Sequence, residues 1–219
     1  MVQVKIAEKG SVIVDKKEVL RYCGYKGNSI SEHEEGLIKS ITEEIQAVLN
    51  CKVCYDRYDI HFEENSCIDL GFTKVYSEKL CINLKDCEEI FLFTATVGTA
   101  VDRIIQKYSL ISPSKSIIAQ AVGAASIEKW CDMFCEELKK DNFLRPRFSP
   151  GYGDLDIKTQ KDIFSVLDCE RKIGVTLTDG YLMVPTKSVS AIVGISKKEC
   201  SCVLAGCEEC NKKCEFRRN

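Results

Sequence analysis

The stretch "RFSPGYGDLDIKTQ" (residues 147–160) places an arginine, a proline, two glycines and a tyrosine within its first seven residues, between two segments with helical patterns. Arginine presents a planar fork of donors that suits a carboxylate or a phosphate. Proline before glycine restricts the backbone and lets it approach a ligand closely, and tyrosine can stack on a flat ring. The stretch therefore predicts a loop that holds a small ligand with a carboxylate and an aromatic base. The alternative is a plain turn, with the arginine capping the preceding helix.

Two common nucleotide-binding loops do not fit this stretch. The sequence has no Gly-x-x-x-x-Gly-Lys-Ser/Thr motif. The segment "GYGDLD" starts like a dinucleotide fingerprint, but Asp156 stands where the third glycine belongs, and the segment follows a helical pattern and not a strand.

The flanking patterns predict an α+β fold, because strand groups and helix groups are mixed along the chain. Asp15 and Ser31 are predicted N-caps, each with a glutamate three residues later. Apolar residues then alternate with polar ones, and "EIFLFTATVG" (89–98) is typical of a buried strand. Two helices are predicted on either side of Pro113 and one after the loop. Strands are predicted over 53–62, 67–76 and 174–196, with a turn at Asp179 and Gly180.

Composition excludes several classes of protein. The 219 residues carry a formal net charge of −2, which argues against general nucleic-acid binding. No apolar run approaches the roughly 20 residues of a membrane span. The N-terminal residues lack an apolar signal segment, so a cytoplasmic location is expected. Neither of the two histidines, His33 and His61, lies in a catalytic pattern.

Two linked motifs resemble the activation (reactivation) domain of cobalamin-dependent methionine synthase. "RFSPGYGDLDIKTQKDIFSVLD" (147–168) is similar to its Arg-x-x-Pro-Gly-Tyr loop and following helix, and "GVTLTDGYLMVPTKSVSAIVGIS" (174–196) to its next segment. "DKKEVLRYCGYKG" (15–27) resembles the opening of free-standing versions of the domain. The resemblance implies a domain over residues 1–196 with a bent, mostly antiparallel sheet and flanking helices.

The resemblance also implies a site for S-adenosylmethionine. Arg147 matches the arginine that holds the ligand carboxylate, and Glu128 a helix glutamate near the ligand, although a solvated glutamate is the alternative there. Where the family has aromatics, this sequence has Val193 and Gly194, so only backbone contacts are expected from them. No catalytic side chain is implied. The expected ligand-binding residues are Glu128, Arg147, Ser149, Pro150, Gly151, Tyr152, Val193 and Gly194.

The implied reaction is the reductive methylation that returns an inactive cobalamin to use. This chain has no cobalamin motif of its own: "DIHFEE" (59–64) has Glu64 where Asp-x-His-x-x-Gly needs glycine. The cobalamin is therefore expected on a partner, either methionine synthase or another corrinoid protein. A flavodoxin or a ferredoxin is the implied type of electron donor.

The residues after position 196 form a second predicted unit, a Cys-rich tail over 197–219. Five of the fourteen cysteines follow a C-x-C-x4-C-x2-C-x3-C spacing. Part of this spacing matches an iron–sulfur pattern, and four thiolates could equally hold zinc. A reduced, unliganded tail is the alternative. The candidate metal ligands are Cys200, Cys202, Cys207, Cys210 and Cys214.

Two further readings compete with the first. One is an electron-transfer or regulatory module that binds an iron–sulfur cluster or zinc and keeps the fold without methyl transfer. The other is a subunit that only senses S-adenosylmethionine. Cys51 and Cys54 form a C-x2-C pair, but on an alternating strand they are expected to face opposite sides and to be ordinary thiols.

Overall fold

The structure is a computed structural model that describes residues 1–25 and 30–197. Helices and strands alternate in groups along the chain. In chain order the elements are β1 (Gln3–Ile6), α1 (Lys16–Tyr22), α2 (Glu32–Val48), β2 (Lys52–Asp59), β3 (His61–Phe62), β4 (Cys67–Asp69), β5 (Lys74–Tyr76), α3 (Glu78–Asn83), β6 (Cys87–Thr96), α4 (Thr99–Ile111), α5 (Pro113–Leu138), β7 (Phe143–Leu144), α6 (Thr159–Leu167), α7 (Cys169–Ile173), β8 (Thr176–Leu177), β9 (Met183–Val184) and β10 (Ser188–Ser196).

The main sheet has five strands in the order β1-β2-β6-β10-β7, and each neighbouring pair is antiparallel. Its centre is β6, which pairs with β2 on one side and β10 on the other. Two small sheets, β3-β4-β5 and β8-β9, lie outside it. The predicted α+β class with a mostly antiparallel sheet is confirmed.

Helix starts follow the caps expected from the sequence. Asp15 accepts a hydrogen bond from the Lys17 amide at the start of α1. Ser31 and Glu34 form a reciprocal capping box at the start of α2. Pro113 occupies the first turn of α5, where its missing N–H is not needed. These caps satisfy amides that would otherwise lack partners.

The sheet separates two hydrophobic cores because successive side chains on a strand point to opposite faces. One core packs the sheet against α1, α2, α4 and α5 and includes Phe93, Val193 and Phe134. The other lies beneath α3, α6 and α7 and includes Leu92 and Ile192. Cys51 belongs to the first core and Cys54 to the second, as the alternation predicted.

Several local features differ from the sequence prediction. Residues 67–76 form a hairpin of two strands and not one strand, with Gly71 at a φ of +79° between them. The Gly71 amide donates to Asp69 Oδ1 at 2.9 Å, which tightens this turn. The short elements α3, α7 and β7 were not predicted. No helix among residues 1–25 and 30–197 is long and apolar enough to cross a membrane.

Candidate functional site

Arg147 is held at the edge of the main sheet by a short pairing with β10. Phe148 and Ile192 exchange two backbone hydrogen bonds, of 2.9 and 2.8 Å. The Phe148 side chain enters the core beneath α6, so the preceding residue is directed to the opposite face, toward α5. The pairing of Phe148 with Ile192 therefore places the Arg147 side chain on the side of the sheet that α5 covers.

On that face, Arg147 meets two carboxylates of α5. Its Nη2 lies 2.8 Å from Glu128 Oε2 and 2.9 Å from Asp132 Oδ1. The two acids are four residues apart, so they lie on adjacent turns of one helix face. The guanidinium is mostly buried, with 21% of the side chain exposed, whereas 48% of Asp132 is exposed. The three groups form a cluster at the surface with one negative charge in excess.

The other terminal nitrogen of Arg147, Nη1, is buried and has no hydrogen-bonding partner within the described residues. Burial by itself lowers the pKa of Arg147, but the neighbouring Cys131, Glu128 and Asp132 outweigh it and raise that pKa. The guanidinium therefore stays charged. A buried donor without a partner costs about 1–3 kcal/mol, which a ligand carboxylate would recover. This arrangement fits the predicted role of Arg147.

Two thiols of α5 border the same cluster. Burial raises the pKa of both Cys131 and Cys135, and the positive charge of Arg147 opposes the shift in each case. Both thiols are therefore neutral near pH 7. Their spacing of four residues places them on one face of α5, and both pack in the core between the sheet and α1, α2, α4 and α5.

The loop after Arg147 is compact because its backbone bonds to itself. The Tyr152 amide donates to the Ser149 carbonyl at 3.0 Å, and the Gly151 amide to the Leu155 carbonyl at 2.9 Å. Gly151 has a φ of +82°, and a side chain there would lie 3.0 Å from Ile157 Cδ1. The positive φ therefore favours glycine here, and a side chain would also crowd Ile157.

Tyr152 packs inward. Its ring meets the Phe148 ring edge-on, with centroids 5.3 Å apart. This contact fixes the tyrosine against the second core, and Pro150 is buried beside it in the same loop. Of the neighbouring residues in this loop, Gly151 is exposed and Ser149 is half-buried.

Asp154 fastens the loop to α3. Its carboxylate accepts from the Ser77 hydroxyl and from the Glu78 amide at 2.9 Å. Burial opposes its charge, but the Ser77 hydroxyl and the amides of Lys79 and Glu78 outweigh that effect and hold the pKa of Asp154 below its ordinary value. The acid is therefore ionised when it makes these contacts at neutral pH.

The structure places the remaining predicted site residues as follows. Glu128 is paired with Arg147 and is not simply solvated. Val193 is 1% exposed and packs in the core between the sheet and α1, α2, α4 and α5. A side chain at Gly194 would meet Cys87 Sγ at 2.7 Å and Leu84 Cδ2 at 2.8 Å. Ligand contacts at these two positions stay a prediction and would be limited to backbone, as the sequence indicated.

Sequence reasoning missed Asp132. The available signal was its spacing of four residues from Glu128 on a predicted helix. No group of three or more His, Cys, Asp or Glu side chains in residues 1–25 and 30–197 could hold a metal ion. The five cysteines proposed as ligands, Cys200 to Cys214, lie outside the described residues.

Comparison with known proteins finds a family model that matches part of the chain and a solved structure with the same fold. The family described as "Vitamin B12 dependent methionine synthase, activation domain" matches residues 127–201. A solved structure of the MetH reactivation domain bound to AdoHcy covers 89% of this chain and 78% of that chain, at 14% sequence identity and a TM-score of 0.67. No curated protein matches the chain. The resemblance predicted from the loop is confirmed, and the chain has the fold of that reactivation domain.

Proposed function

We propose that this protein binds S-adenosylmethionine at the Arg147 site and serves the reductive reactivation of a cobalamin-dependent methionine synthase or a related corrinoid methyltransferase. The observation that carries the proposal is the buried Nη1 of Arg147, which has no hydrogen-bonding partner among the described residues and belongs to the first residue of the glycine-containing loop. The matched MetH domain binds AdoHcy, which is S-adenosylmethionine without its methyl group. The family match includes both Glu128 and the whole loop.

Each part of the site has a separate task in this proposal. Arg147 Nη1 donates to the ligand carboxylate, while Glu128 and Asp132 hold the guanidinium in place through Nη2. The net negative charge of this cluster favours a ligand that carries a sulfonium cation. The backbone of residues 149–152 lines the ligand and limits the access of water.

The protein supplies position and not acid–base chemistry. S-adenosylmethionine provides a methyl group on a sulfonium, and the reduced cobalt of cobalamin on the partner protein is the nucleophile. The two histidines are both exposed and lie away from the site: His33 is in α2 and His61 in β3. A flavodoxin or a ferredoxin would supply the electron, and the reaction would take place in the cytoplasm.

Arg147→Ala tests the binding step. Loss of a charged hydrogen bond of about 1.5–3 kcal/mol should weaken S-adenosylmethionine binding by roughly 10- to 150-fold. Isothermal titration calorimetry measures this change. The matched control is Arg171→Ala, because Arg171 is 81% exposed and pairs only with the nearby Asp168 among the described residues. Equal affinities for wild type and Arg147→Ala would show that the site is misplaced.

Methyl transfer is tested separately from binding. The full chain is mixed with labelled S-adenosylmethionine and a chemically reduced corrinoid protein, and label on the corrinoid is measured. Transfer by wild type, with loss in Arg147→Ala, supports reactivation. Binding without transfer would make the protein a sensor of S-adenosylmethionine.

The alternative function concerns the tail after residue 196. Its five cysteines suit an iron–sulfur cluster or zinc, and a cluster could pass the electron that reactivation requires. Metal and sulfide analysis after anaerobic purification of the full chain, compared with a chain ending at residue 197, tests this idea. Equal metal content in the two chains would remove the proposed site. Metal in the full chain without S-adenosylmethionine binding would favour an electron-transfer module.

A further inference from the structure

A groove with a cavity of about 290 Å³ lies at the first half of α5, where α1 and the segment before β10 approach the helix. Its walls are mostly apolar, with a floor of small side chains and a few polar groups. They include Tyr22, Ser116, Gln120, Ala121, Ala124 and Lys187. The volume lies just below the range of about 300–1,000 Å³ that small-molecule sites span.

Lys187 reaches the groove across the surface of α5. Gly123 leaves the space for its stem, because a side chain at that glycine would lie 3.1 Å from Lys187 Cε and 3.2 Å from Cγ. The alanines on the same stretch of helix keep the floor flat. The arrangement of small residues therefore favours an extended lysine over α5.

The ammonium of Lys187 has no ion pair or hydrogen bond with any residue in 1–25 or 30–197. Asp102 is the acidic group that acts on it, but the Asp102 carboxylate already accepts from the Thr186 amide at 2.8 Å and from the Thr186 hydroxyl at 2.7 Å. Burial lowers the pKa of Lys187, and the charge of Asp102 opposes this only in part. A partly desolvated cation without a direct counter-ion is a favourable place for an anion.

This groove is distinct from the Arg147 cluster. Ala124 is four residues from Glu128 and eight from Asp132 on α5, which corresponds to about 6 Å and about 12 Å along the helix axis. The two positions lie on one row of the helix surface, because Ala124, Glu128 and Asp132 are spaced by four residues. The groove is therefore a neighbour of the Arg147 site and shares none of the side chains that hold the guanidinium.

We propose that the Lys187 groove is a second binding site, for a small carboxylate with a flat apolar body. The carboxylate pairs with the Lys187 ammonium, and Ser116 and Gln120 supply hydrogen bonds at its edge. The apolar body covers Ala121 and Ala124. This proposal does not depend on S-adenosylmethionine binding at Arg147.

Benzoate is a suitable probe because it carries a carboxylate on a flat apolar ring. Inorganic phosphate serves as the comparison, since it is an anion without an apolar body. The full chain carrying ¹³C-methyl alanine is titrated with each and followed by NMR. Benzoate should saturate and shift the Ala121 and Ala124 methyl signals, while phosphate should bind at least tenfold more weakly. Lys187→Met keeps the apolar stem and should weaken benzoate binding tenfold or more. Lys129→Met, an exposed position on the same helix, should leave binding unchanged.

Two further measurements separate this site from the first. Ala124→Leu fills the floor of the groove without changing Lys187, so it should also weaken benzoate binding tenfold or more. Lys187→Met should retain S-adenosylmethionine affinity within about twofold, since the groove is separate from Arg147. Benzoate binding equal in wild type and Lys187→Met, or no saturation by benzoate, would overturn the proposal. Loss of S-adenosylmethionine affinity in Lys187→Met would assign the groove to the first site and overturn a separate one.

Discussion

Asp154 connects the loop after Arg147 to the start of α3 through three donors, and removing its carboxylate should lower the stability of the protein. Asp154→Ala should lower the free energy of unfolding by about 1 kcal/mol at pH 7, as for the loss of a helix-capping carboxylate. The pKa of Asp154 is lowered in the folded state, so its contribution is present above the unfolded value of about 3.9 and is lost as pH falls through the folded value. Urea unfolding at several pH values should therefore show the difference between wild type and variant shrinking below about pH 4.

Asp156→Ala is the matched control for this variant. Asp156 lies in the same loop and is exposed, and among the described residues its side chain accepts only from the Lys158 amide, at 2.9 Å. Its removal breaks a local turn contact and no connection to α3, so the effect on stability should be smaller. If both variants lose the same stability at pH 7, the link between Asp154 and α3 does not hold the loop.

Individual site residues differ in how far the sequence could predict them. Arg147 and Gly151 could be proposed from the sequence because their chemistry is local to one loop. Asp132 escaped notice, since its position beside Arg147 depends on how α5 packs across the sheet edge. Such a contact joins residues that are distant in the sequence, and helical spacing alone does not select it.

At the scale of elements, α2 begins with a capping box that can be tested directly. Ser31→Ala removes the hydroxyl that accepts from the Glu34 amide, and should cost about 1 kcal/mol of stability. The pKa of Glu34 is held at about 2 by the amide and hydroxyl of Ser31 and by the Tyr25 hydroxyl. The variant should raise this pKa, which a carboxyl-detected NMR titration of Glu34 measures.

Ser40→Ala provides the control within the same helix. Ser40 is exposed in the interior of α2, where alanine has the higher helix propensity. This change should leave stability unchanged or raise it slightly, and the pKa of Glu34 should not move. A pKa of Glu34 that is also unchanged in Ser31→Ala would contradict the capping-box account.

Long elements were predicted well and short ones poorly, for a physical reason. α2 and β6 carry strong periodic patterns over 17 and 10 residues, respectively. α3 and α7 have only 6 and 5 residues, too few to display a helical period. The hairpin at residues 67–76 was read as one strand because its turn depends on Gly71 and Asp69, and tertiary packing decides whether such a pair bends the chain.

At the scale of the whole molecule, the two cores share one sheet. β6 and β10 contribute Phe93 and Val193 to the core beneath α5, and Leu92 and Ile192 to the core beneath α6. The Arg147 cluster lies on the side of the sheet that α5 covers, and the loop after Arg147 packs on the side that α6 covers. The geometry of the site therefore depends on both cores, and a destabilising substitution in either core should alter it.

Leu167→Ala tests whether the two faces unfold together. Leu167 is fully buried in the core beneath α6, so truncation should cost about 2–5 kcal/mol. Trp130, the single tryptophan, reports on the other face, where its indole donates to the Lys52 carbonyl at 3.0 Å. If the sheet couples the faces, the urea midpoint of Trp130 fluorescence should fall together with that of far-ultraviolet circular dichroism.

Leu110→Ala, at a position 82% exposed, should move neither midpoint. In the opposite outcome, the fluorescence midpoint of Leu167→Ala stays at the wild-type value while part of the dichroism signal is lost at lower urea concentration. That result would mean that the loop and the Arg147 cluster belong to units that unfold separately.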